Sequence, residues 1–482
     1  MTASTAASTA RRRPNVVFIF ADEWRGQATG YAGDVNCRTP TLDALARRSI
    51  SFPNATAGCP VCCPYRASLL TGQYPLTHGV FINDVELDPG VHSMARAFSA
   101  GGYDTAYIGK WHLYGSPDGK YGRRGAYVPR DHQLGFDYWK GFECCHDYNH
   151  SPYFFNDDPT PRLWEGYDAF SQSRDAADYI RSRAEGDRPF FLMLSWGPPH
   201  FPLHTAPAEY RRLYEGRDLV LRPNVPSELR AKAQEELRGY YAHIAALDDC
   251  LRIVLDAIGA AGIEDDTILV FTADHGDMRQ CQGLRDKQVP FDESILVPFL
   301  LRWPRLAQST GRSVTIPIDA PDIMPTLLGL AGLAIGPSVE GTDWSPIVRG
   351  ERSPTGDEAA LLIIAAEFTE IRDSAMRAYR GLRTARHTYV RDTRGPWLLF
   401  DNQADPYQMR NLMGRAEHRA LQDDLESRLR ARLAAMGDEF LDGRVYLQRH
   451  GLTHYREVNC PVKQAWRYRW DQAGAAAGGP SV

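Results

Sequence analysis

Uninterrupted runs of β-branched and aromatic residues recur between positions 15 and 271 of the chain. Runs of this kind are typical of strands that are buried on both faces of a parallel sheet. Stretches with helical periodicity lie between them, for example at 41–49 and 238–258. The alternation predicts βαβ units and therefore an open α/β sheet with flanking helices. The predicted strands occupy residues 15–21, 105–109, 190–196 and 267–271.

The pattern changes near residue 374, where shorter apolar segments alternate with turn residues. Leucines at every fourth position then predict a helix at about 417–436. We therefore expect a small C-terminal domain with an antiparallel sheet and a helix. Its predicted strands are 376–384, 387–391 and 397–402, and the leucines are Leu421, Leu425, Leu429 and Leu433. The predicted units are a disordered N-terminus at 1–13, a large domain at 14–373, the small α+β domain with its tail at 374–472, and a disordered end at 473–482.

Composition narrows the classes of partner. The 482 residues carry a formal net charge of −5, so we expect neither a nucleic-acid nor a membrane partner. The nine cysteines are odd in number and include two adjacent pairs, which does not fit a disulfide framework. No apolar stretch of signal-peptide length stands beside the arginines at 11–13, so we expect a cytoplasmic protein.

Polar side chains that can do chemistry follow the predicted strands directly. Ligands bind beyond the carboxyl ends of the strands in open α/β sheets, so these residues should meet at one edge of the sheet. A single aspartate at a strand end is usually a turn or capping residue, but several such ends together predict a site. The carboxylates among them suit a hard cation. The residues are Asp22, Glu23, Lys110, His112, His200, Asp274 and His275.

The segment at 58–72, with the sequence GCPVCCPYRASLLTG, carries the most specific signal. A helix is predicted around 67–70, with Pro64 in its first turn and Gly72 at its end. Cys62 then lies at the helix N-terminus, where free N–H groups and the helix dipole favour an anion. Arg66 follows one turn later and is expected to face the same anion.

The spacing Cys62-x-Pro64-x-Arg66, followed by ASLLTG, closely resembles the signature of the formylglycine-dependent (type I) sulfatases. The resemblance implies that a formylglycine-generating enzyme oxidises Cys62 to an aldehyde, whose hydrate is the nucleophile. It gives that role to Cys62 and not to the neighbouring Cys59 or Cys63. The motifs run from about residue 14 to 436 and imply an alkaline phosphatase-like large domain.

Further motifs occur in family order. Lys110 and His112, in the sequence GKWH, resemble the second sulfatase signature, whose lysine and histidine contact the sulfate and the nucleophile. His200 and Lys287 match positions that bind the sulfate and protonate the leaving group. Asn83 stands where some relatives place a substrate amide, and a plain turn asparagine is nearly as good an explanation.

The same resemblance implies one divalent cation, usually Ca²⁺, with Mg²⁺ or Mn²⁺ as possibilities. Asp22, Asp274, His275 and the modified Cys62 carry over as ligands. Glu23 is a further candidate, although the family more often has a second aspartate at this position. A histidine at the place of His275 is met among relatives that include phosphonate hydrolases.

The implied activity is the hydrolysis of sulfate monoesters of a carbohydrate, and also of aryl sulfates. The first alternative is a phosphonate monoester or phosphodiester hydrolase on the same scaffold. The second is a non-catalytic sulfoglycan-binding relative in which Cys62 stays a thiol. Rates on sulfate and phosphonate esters distinguish the first alternative, and any turnover that depends on Cys62 removes the second.

The stretch at 114–173 is irregular and rich in glycine, proline and aromatic residues, as binding loops often are. Within it, His146 and Tyr148 offer hydrogen bonds and stacking faces, so we predict that they contact a sugar ring. A surface excursion of purely structural value is the alternative. Structural zinc is a separate alternative for the cysteine-rich segments. Its ligands would come from Cys59, Cys62, Cys144, Cys145, His146 and His150.

Overall fold

The computed structural model describes residues 13–306, 310–463, 465–468 and 470, and its strands form two sheets. The strands of the larger sheet are β1 (Asn15–Asp22), β2 (Ile50–Ser51), β3 (Asp104–Lys110), β4 (Tyr138–Phe142), β5 (Pro152–Phe155), β6 (Asp158–Leu163), β7 (Phe190–Pro199), β8 (Thr267–Ala273), β9 (Leu300–Arg302) and β10 (Arg312–Ser313). Those of the smaller sheet are β11 (Ala359–Ile364), β12 (Tyr379–Thr384), β13 (His387–Asp392) and β14 (Gly395–Asp401).

Helices connect and cover these strands. They are α1 (Pro40–Ala46), α2 (Cys62–Thr71), α3 (Pro75–His78), α4 (Met94–Ala100), α5 (Asp168–Ala184), α6 (Ala208–Arg212), α7 (Arg230–Ala260), α8 (Asp292–Ile295), α9 (Ala320–Ala331), α10 (Ser345–Val348), α11 (Thr369–Asp373), α12 (Arg419–Ala435) and α13 (Gly443–Arg449). The helices predicted from periodicity correspond to α1, α7 and α12.

The centre of the larger sheet is parallel, in the order β8, β1, β7, β3 and β4. All four predicted strands are found here as direct neighbours. Every residue of β1 and β7 is buried, which explains why the sequence shows continuous apolar runs without alternation. Antiparallel strands continue the sheet on both sides, through β9 and β5. The predicted α/β class with a mostly parallel central sheet is therefore confirmed.

The register of the central strands aligns their carboxyl ends. The N–H of Asp274, which follows β8, donates to the carbonyl of Ala21 in β1 over 3.0 Å. Asp22 and Asp274 therefore leave the sheet side by side. Lys110 ends β3, which runs parallel to β7 next to β1, so its side chain starts from the same edge.

Two helix pairs pack in the large domain, and one of them holds the segment that precedes α2. The helices α5 and α7 pack against each other and both contact β7, whereas α2 packs against α9. The N-terminus of α9 has a capping box between Asp319 and Asp322. Asp319 also accepts a hydrogen bond from the N–H of Gly58 over 2.8 Å, so the cap of α9 fixes the chain just before α2.

The smaller sheet is antiparallel, in the order β11, β12, β13 and β14, which confirms the predicted second sheet. Its first strand, β11, lies upstream of the boundary expected at residue 374. The apolar run AALLII would suit a strand of either sheet, and only its pairing with β12 assigns it to the smaller one. The N–H of Ile363 donates to the carbonyl of Gly58 over 2.8 Å, so the smaller sheet is also tied to the segment before α2.

The stretch at 114–173 is more regular than the sequence indicates, because it contains β4, β5, β6 and the start of α5. These three strands extend the larger sheet to one edge. The edge strand β6 contains Pro159 and Pro161, and almost all of its residues are exposed. Prolines are tolerated at a sheet edge. Because they interrupt the alternation of apolar and polar residues, the sequence pattern does not predict this strand.

The predicted disordered ends at 1–12 and 473–482 lie outside the described residues, whereas Arg13 is described. Within the part of the chain that the structure describes, no helix combines the length and the apolar character needed to cross a bilayer. All nine cysteines belong to this part, and each of them is free.

Replacing Leu429 with alanine tests how α12 packs on the smaller sheet. Leu429 is fully buried in a cluster with Leu382 and Tyr389, so Leu429→Ala should lower the free energy of unfolding by about 2–5 kcal/mol. Urea-induced unfolding followed by circular dichroism measures the change. Leu421→Ala is the matched control, because Leu421 is only partly buried on the same stripe and should lose clearly less. Equal losses in the two variants would contradict the packing.

Candidate active site

Helix α2 begins at Cys62 and is buried along its whole length. The N-cap residue Val61 makes no side-chain cap, but Oδ1 of Asn83 accepts a hydrogen bond from the N–H of Cys63 over 3.1 Å. The amide of Asn83 thus caps the helix. The helix ends at Gly72, whose φ of 68° lies in the left-handed region that glycine adopts without strain. The helix that carries Cys62 is therefore held at both of its ends.

Three ionisable groups surround the sulfur of Cys62. Sγ lies 3.2 Å from Nε2 of His275, 3.2 Å from Nζ of Lys287 and 3.6 Å from Oδ1 of Asp22. Burial and Asp22 raise the pKa of Cys62 to about 11, against the opposing charge of Lys287. The unmodified side chain is a protonated thiol at neutral pH, and a thiol is a weak nucleophile.

Four side chains converge as potential metal ligands. Asp22, Cys62, Asp274 and His275 are buried, and each offers one atom within 4.8 Å of the others. Two carboxylates beside an imidazole nitrogen suit a divalent cation. Burial raises the pKa of Asp22, but positive charges led by that of Lys110 outweigh this and hold it well below the usual range. The residues present therefore fit the predicted cation.

The side chain of Arg66 lies among protein groups. Nη2 donates to Asp22 and Asp274 over 3.2 and 3.0 Å, and Nε donates to Asp274 over 3.2 Å. Nη1 donates to the carbonyl of Lys110 and to Oγ of Ser195, each over 2.8 Å. These contacts occupy the fork of five N–H groups that an arginine offers. Arg66 therefore positions the two carboxylates, and its predicted contact with the anion stays a prediction.

Two lysines carry positive charge into the site. Nζ of Lys110 lies 2.5 Å from Oδ2 of Asp22, and Nζ of Lys287 lies 3.6 Å from Oε1 of Glu23. Burial lowers the pKa of Lys110, but Asp22 outweighs this and raises it overall. Burial also opposes the charged form of Lys287, whose pKa is nevertheless raised well above its usual value by Cys62 and Glu23. Both ammonium groups are therefore charged at neutral pH.

Glu23 lies beside the potential metal ligands but not among them. Its oxygens are 3.6 Å from Nζ of Lys287 and 3.5 Å from Nε2 of His200. Burial raises its pKa well above the usual value, although Lys287 opposes this. The structure thus differs from the prediction that Glu23 is a ligand.

Two buried histidines lie beside carboxylates of this region, His112 next to Asp84 and His200 next to Glu23. Neither ring nitrogen of His112 has a hydrogen-bond partner among the described residues, and its Nε2 lies 3.9 Å from Oδ1 of Asp84. Burial lowers the pKa of His112 to about 3. Nδ1 of His200 lies 3.0 Å from the carbonyl of Phe201, and burial together with Lys287 holds its pKa well below the usual value. Both imidazoles are neutral at pH 7.

Of the two residues predicted to contact a sugar, His146 reaches the site and Tyr148 does not. The ring of His146 stacks on that of His200 with centroids 4.5 Å apart. Tyr148 is fully buried, and its hydroxyl lies within 3.3 Å of two backbone carbonyls. The prediction for Tyr148 is therefore wrong, because its ring packs in the core and its only polar atom is used by the backbone.

The alternative zinc site does not assemble. The two groups of potential ligands that the described residues form include neither Cys59, Cys144 nor His150. His150 has a side chain that is 77% exposed and pairs with Asp147. Cys62 belongs instead to the group with two aspartates and His275. The tertiary structure separates the cysteines that the sequence places close together.

The sequence assigned no role to Asp84 and Arg124, which lie next to His112. Nε and Nη2 of Arg124 donate to the carboxylate of Asp84 over 2.8 and 2.5 Å. Burial raises the pKa of Asp84, but Arg124 and His112 outweigh burial and lower this pKa overall, so the carboxylate stays charged. The two residues are 40 positions apart, and no spacing in the sequence connects them.

Comparison with protein families agrees with this geometry. The family model described as Sulfatase matches residues 14–333. The model described as N-sulphoglucosamine sulphohydrolase, C-terminal, matches residues 281–435. Together they cover the larger sheet, the smaller sheet and α12.

Individual proteins give the same result. The chain is 44% identical over 458 residues to an ulvan-active sulfatase of Formosa agariphila, covering 95% of this chain and 88% of that one. It is 32% identical over 453 residues to an endo-4-O-sulfatase of Bacteroides thetaiotaomicron, covering 83% and 88%. The crystal structure of a putative sulfatase, yidJ, from Bacteroides fragilis superposes with a TM-score of 0.79 at 28% identity, covering 89% and 97%. The chain therefore belongs to the sulfatase family of the alkaline phosphatase superfamily and is a sulfuric ester hydrolase.

Proposed function

We propose that this protein hydrolyses sulfate monoesters of carbohydrates through a formylglycine at position 62 and one bound divalent cation. The observation that carries the proposal is the position of Cys62. Its Sγ lies at the first turn of a buried helix, within 3.6 Å of His275, Lys287 and Asp22. The carbohydrate part is supported by the relatives, because the names of the two most similar ones given above refer to ulvan and to 4-O-sulfate groups.

The state of Cys62 supports its conversion to formylglycine. As a thiol with a pKa of about 11, the unmodified side chain cannot provide an effective nucleophile at neutral pH. Oxidation by a formylglycine-generating enzyme would supply an aldehyde hydrate, which offers a hydroxyl nucleophile at the same place. The surrounding groups are those that such a hydroxyl needs, since an anionic oxygen there would face Nζ of Lys287 over a short distance.

Asp22, Asp274, His275 and the modified residue 62 would hold the cation, which we propose to be Ca²⁺, with Mg²⁺ or Mn²⁺ as alternatives. The bound ion would lower the pKa of a coordinated hydroxyl and draw charge from the sulfate oxygens. Arg66 keeps Asp22 and Asp274 at a fixed separation by donating to both carboxylates.

The sulfate group needs positive charge and hydrogen-bond donors. Lys287 is charged and lies 3.2 Å from the Cys62 sulfur, so we place a sulfate oxygen beside its ammonium group. Lys110 is charged, contacts Oδ2 of Asp22 and adds to the positive potential. The N-terminus of α2 contributes its free N–H groups and dipole.

Two imidazoles are available to move protons. His112 is neutral, and neither of its nitrogens has a protein partner among the described residues. It can therefore accept the proton of the second hydroxyl of the hydrate, so that the aldehyde re-forms and sulfate leaves. His200 is held through Nδ1 by the Phe201 carbonyl, which leaves Nε2 facing the site. We assign the source of the proton for the leaving alcohol oxygen to the charged Lys287. His200 is neutral and its own proton faces the Phe201 carbonyl, so we propose that its free Nε2 relays this proton to the oxygen.

Replacing Cys62 with alanine should lower kcat/KM on every sulfate ester by at least about 1,000-fold, because the hydroxyl nucleophile is lost. Cys63→Ala is the matched control: Cys63 is buried one residue further along α2, and kcat/KM should stay within about 3-fold. Mass spectrometry of the peptide that contains both residues, from protein made together with the maturing enzyme, should show an aldehyde at position 62. Modification at 63, or at neither position, would overturn the assignment.

Replacing Asp22 with asparagine should remove the bound cation, because one ligand charge is lost while Arg66 and Lys110 remain beside the site. Elemental analysis of the purified variant should show less than about a tenth of the wild-type metal, and activity should fall in parallel. Glu23→Gln is the comparison and should retain most of the metal, since Glu23 lies outside the ligand group. Wild-type protein that is fully active without metal after chelation would contradict the proposal.

A substrate panel tests the ester class. We expect sulfated carbohydrates, represented by N-acetylglucosamine 6-sulfate and ulvan oligosaccharides, to be hydrolysed with a higher kcat/KM than a phenylphosphonate monoester. The reason is that a sulfate monoester presents three terminal oxygens to the charges of Lys287 and Lys110, whereas the phosphonate monoester, which also carries one negative charge, presents two oxygens and a bulky phenyl group on phosphorus. Steady-state rates on each ester measure the preference. A clear preference for the phosphonate over every sulfated carbohydrate would favour the phosphonate hydrolase alternative.

A further inference from the structure

The C-terminal tail, defined here as residues 437–463, lies beyond both matched family models, which end at residues 333 and 435. The tail nevertheless docks on the large domain beside the active site. Nε2 of His454 lies 2.8 Å from the carbonyl of Pro117, and the N–H of Arg456 donates to the carbonyl of Gly119 over 3.0 Å. The family motifs therefore do not account for what this segment does at its docking position.

Glu457, which follows these anchors, brings a carboxyl group inward. The residue is 5% exposed, and its Oε2 has no hydrogen-bond partner among the described residues. Oε1 lies 3.9 Å from Nη2 of Arg124. A buried polar atom without a partner is rare in folded proteins, because it has lost its water without a replacement. Oε2 of Glu457 is thus free to bind a group that the protein itself does not supply.

Glu457 lies within electrostatic reach of the reaction centre. Burial and Asp84 raise its pKa to about 8, and Arg124 and Lys287 act in the opposite direction. Lys287 is the lysine whose Nζ lies 3.2 Å from the Cys62 sulfur. The charges of Asp84 and of Lys287 therefore both act on this carboxyl group.

Arg124 provides a donor that is already held in place. Its guanidinium carbon lies 3.8 Å from the ring centroid of Tyr121, and Nε and Nη2 are bonded to Asp84. Nη1 has no acceptor among the described residues, and the side chain is 30% exposed. A ligand can therefore reach Nη1 without displacing the other contacts of Arg124.

We propose that Glu457 and Arg124 form a sugar-binding pair that contacts hydroxyl groups of the ring carrying the sulfate. Glu457 is then a specificity-determining residue that the tail contributes. A carboxyl oxygen and a guanidinium N–H together match two neighbouring hydroxyls, one as donor and one as acceptor. An aryl sulfate has no such hydroxyls, so the pair distinguishes sugars from aryl esters. The inference rests on the proposed function, because it needs a sulfated carbohydrate as substrate.

The test compares two substrates on the full-length, formylglycine-containing enzyme. Glu457→Gln keeps the shape of the side chain but replaces one carboxyl oxygen with an amide nitrogen, which cannot accept a hydrogen bond. On the sulfated carbohydrate that the wild type hydrolyses best, kcat/KM should therefore fall about 10- to 100-fold. On 4-nitrophenyl sulfate it should change less than about 3-fold. Glu439→Gln is the matched control, since Glu439 belongs to the same tail but is 55% exposed and pairs with Arg449. It should change neither rate.

Arg124→Lys tests the pair from the large-domain side without altering the tail. It should lower kcat/KM more on the carbohydrate than on 4-nitrophenyl sulfate, because a lysine cannot keep two bonds to Asp84 and still offer a fixed donor. Equal losses on both substrates, or no loss on the carbohydrate in either variant, would overturn the proposal. Equal losses together with a lower melting temperature would assign the residues to tail docking alone. A wild type that hydrolyses 4-nitrophenyl sulfate but no sulfated carbohydrate would instead refute the proposed function, and with it this inference.

Discussion

The active site depends on one buried guanidinium group. Arg66 leaves helix α2 and connects four neighbouring strands, through Asp22 at the end of β1, Asp274 just after β8, Lys110 at the end of β3 and Ser195 within β7. Removing one partner from a buried charge network of this kind costs about 3–5 kcal/mol, because the remaining charges lose their compensation. The helix that carries Cys62 is therefore locked to the sheet edge where the strands release their carboxylates.

This arrangement divides the positive charges by task. Arg66 is bonded to both carboxylates, Asp22 and Asp274, and Lys110 is bonded to Asp22. These positive charges offset the repulsion between the two neighbouring carboxylates. Lys287 is not bonded to either of them and remains available next to the Cys62 position. A cation bound to the carboxylates would shift the balance further towards positive charge. Such a site attracts an anion in a place that is closed to bulk water.

Recognition of the sugar uses, in our proposal, a part of the chain that recognition of the anion does not. The groups that surround Cys62 come from the segments that the family models match, and they can bind any sulfate ester. In our proposal, the sugar ring is recognised by Arg124 and by Glu457 of the tail, which lies outside those segments. His146, stacked on His200 at the same site, is the remaining candidate from the sequence for a sugar contact. Changes in the tail could then alter the preferred sugar while the groups around Cys62 stay the same.

The sequence alone determined the parallel centre of the larger sheet, the leucine stripe of α12 and the segment around Cys62, because each depends on neighbouring residues and a fixed period. Only the tertiary structure decided that Arg66 bonds carboxylates, that Tyr148 lies in the core and that Glu457 enters the site. Asp274, one of the partners of Arg66, is 208 positions away along the chain, and no local pattern encodes such a contact. Which groups a charged or aromatic side chain meets depends on how distant segments pack, and packing is fixed only when the whole sheet and its helices have formed.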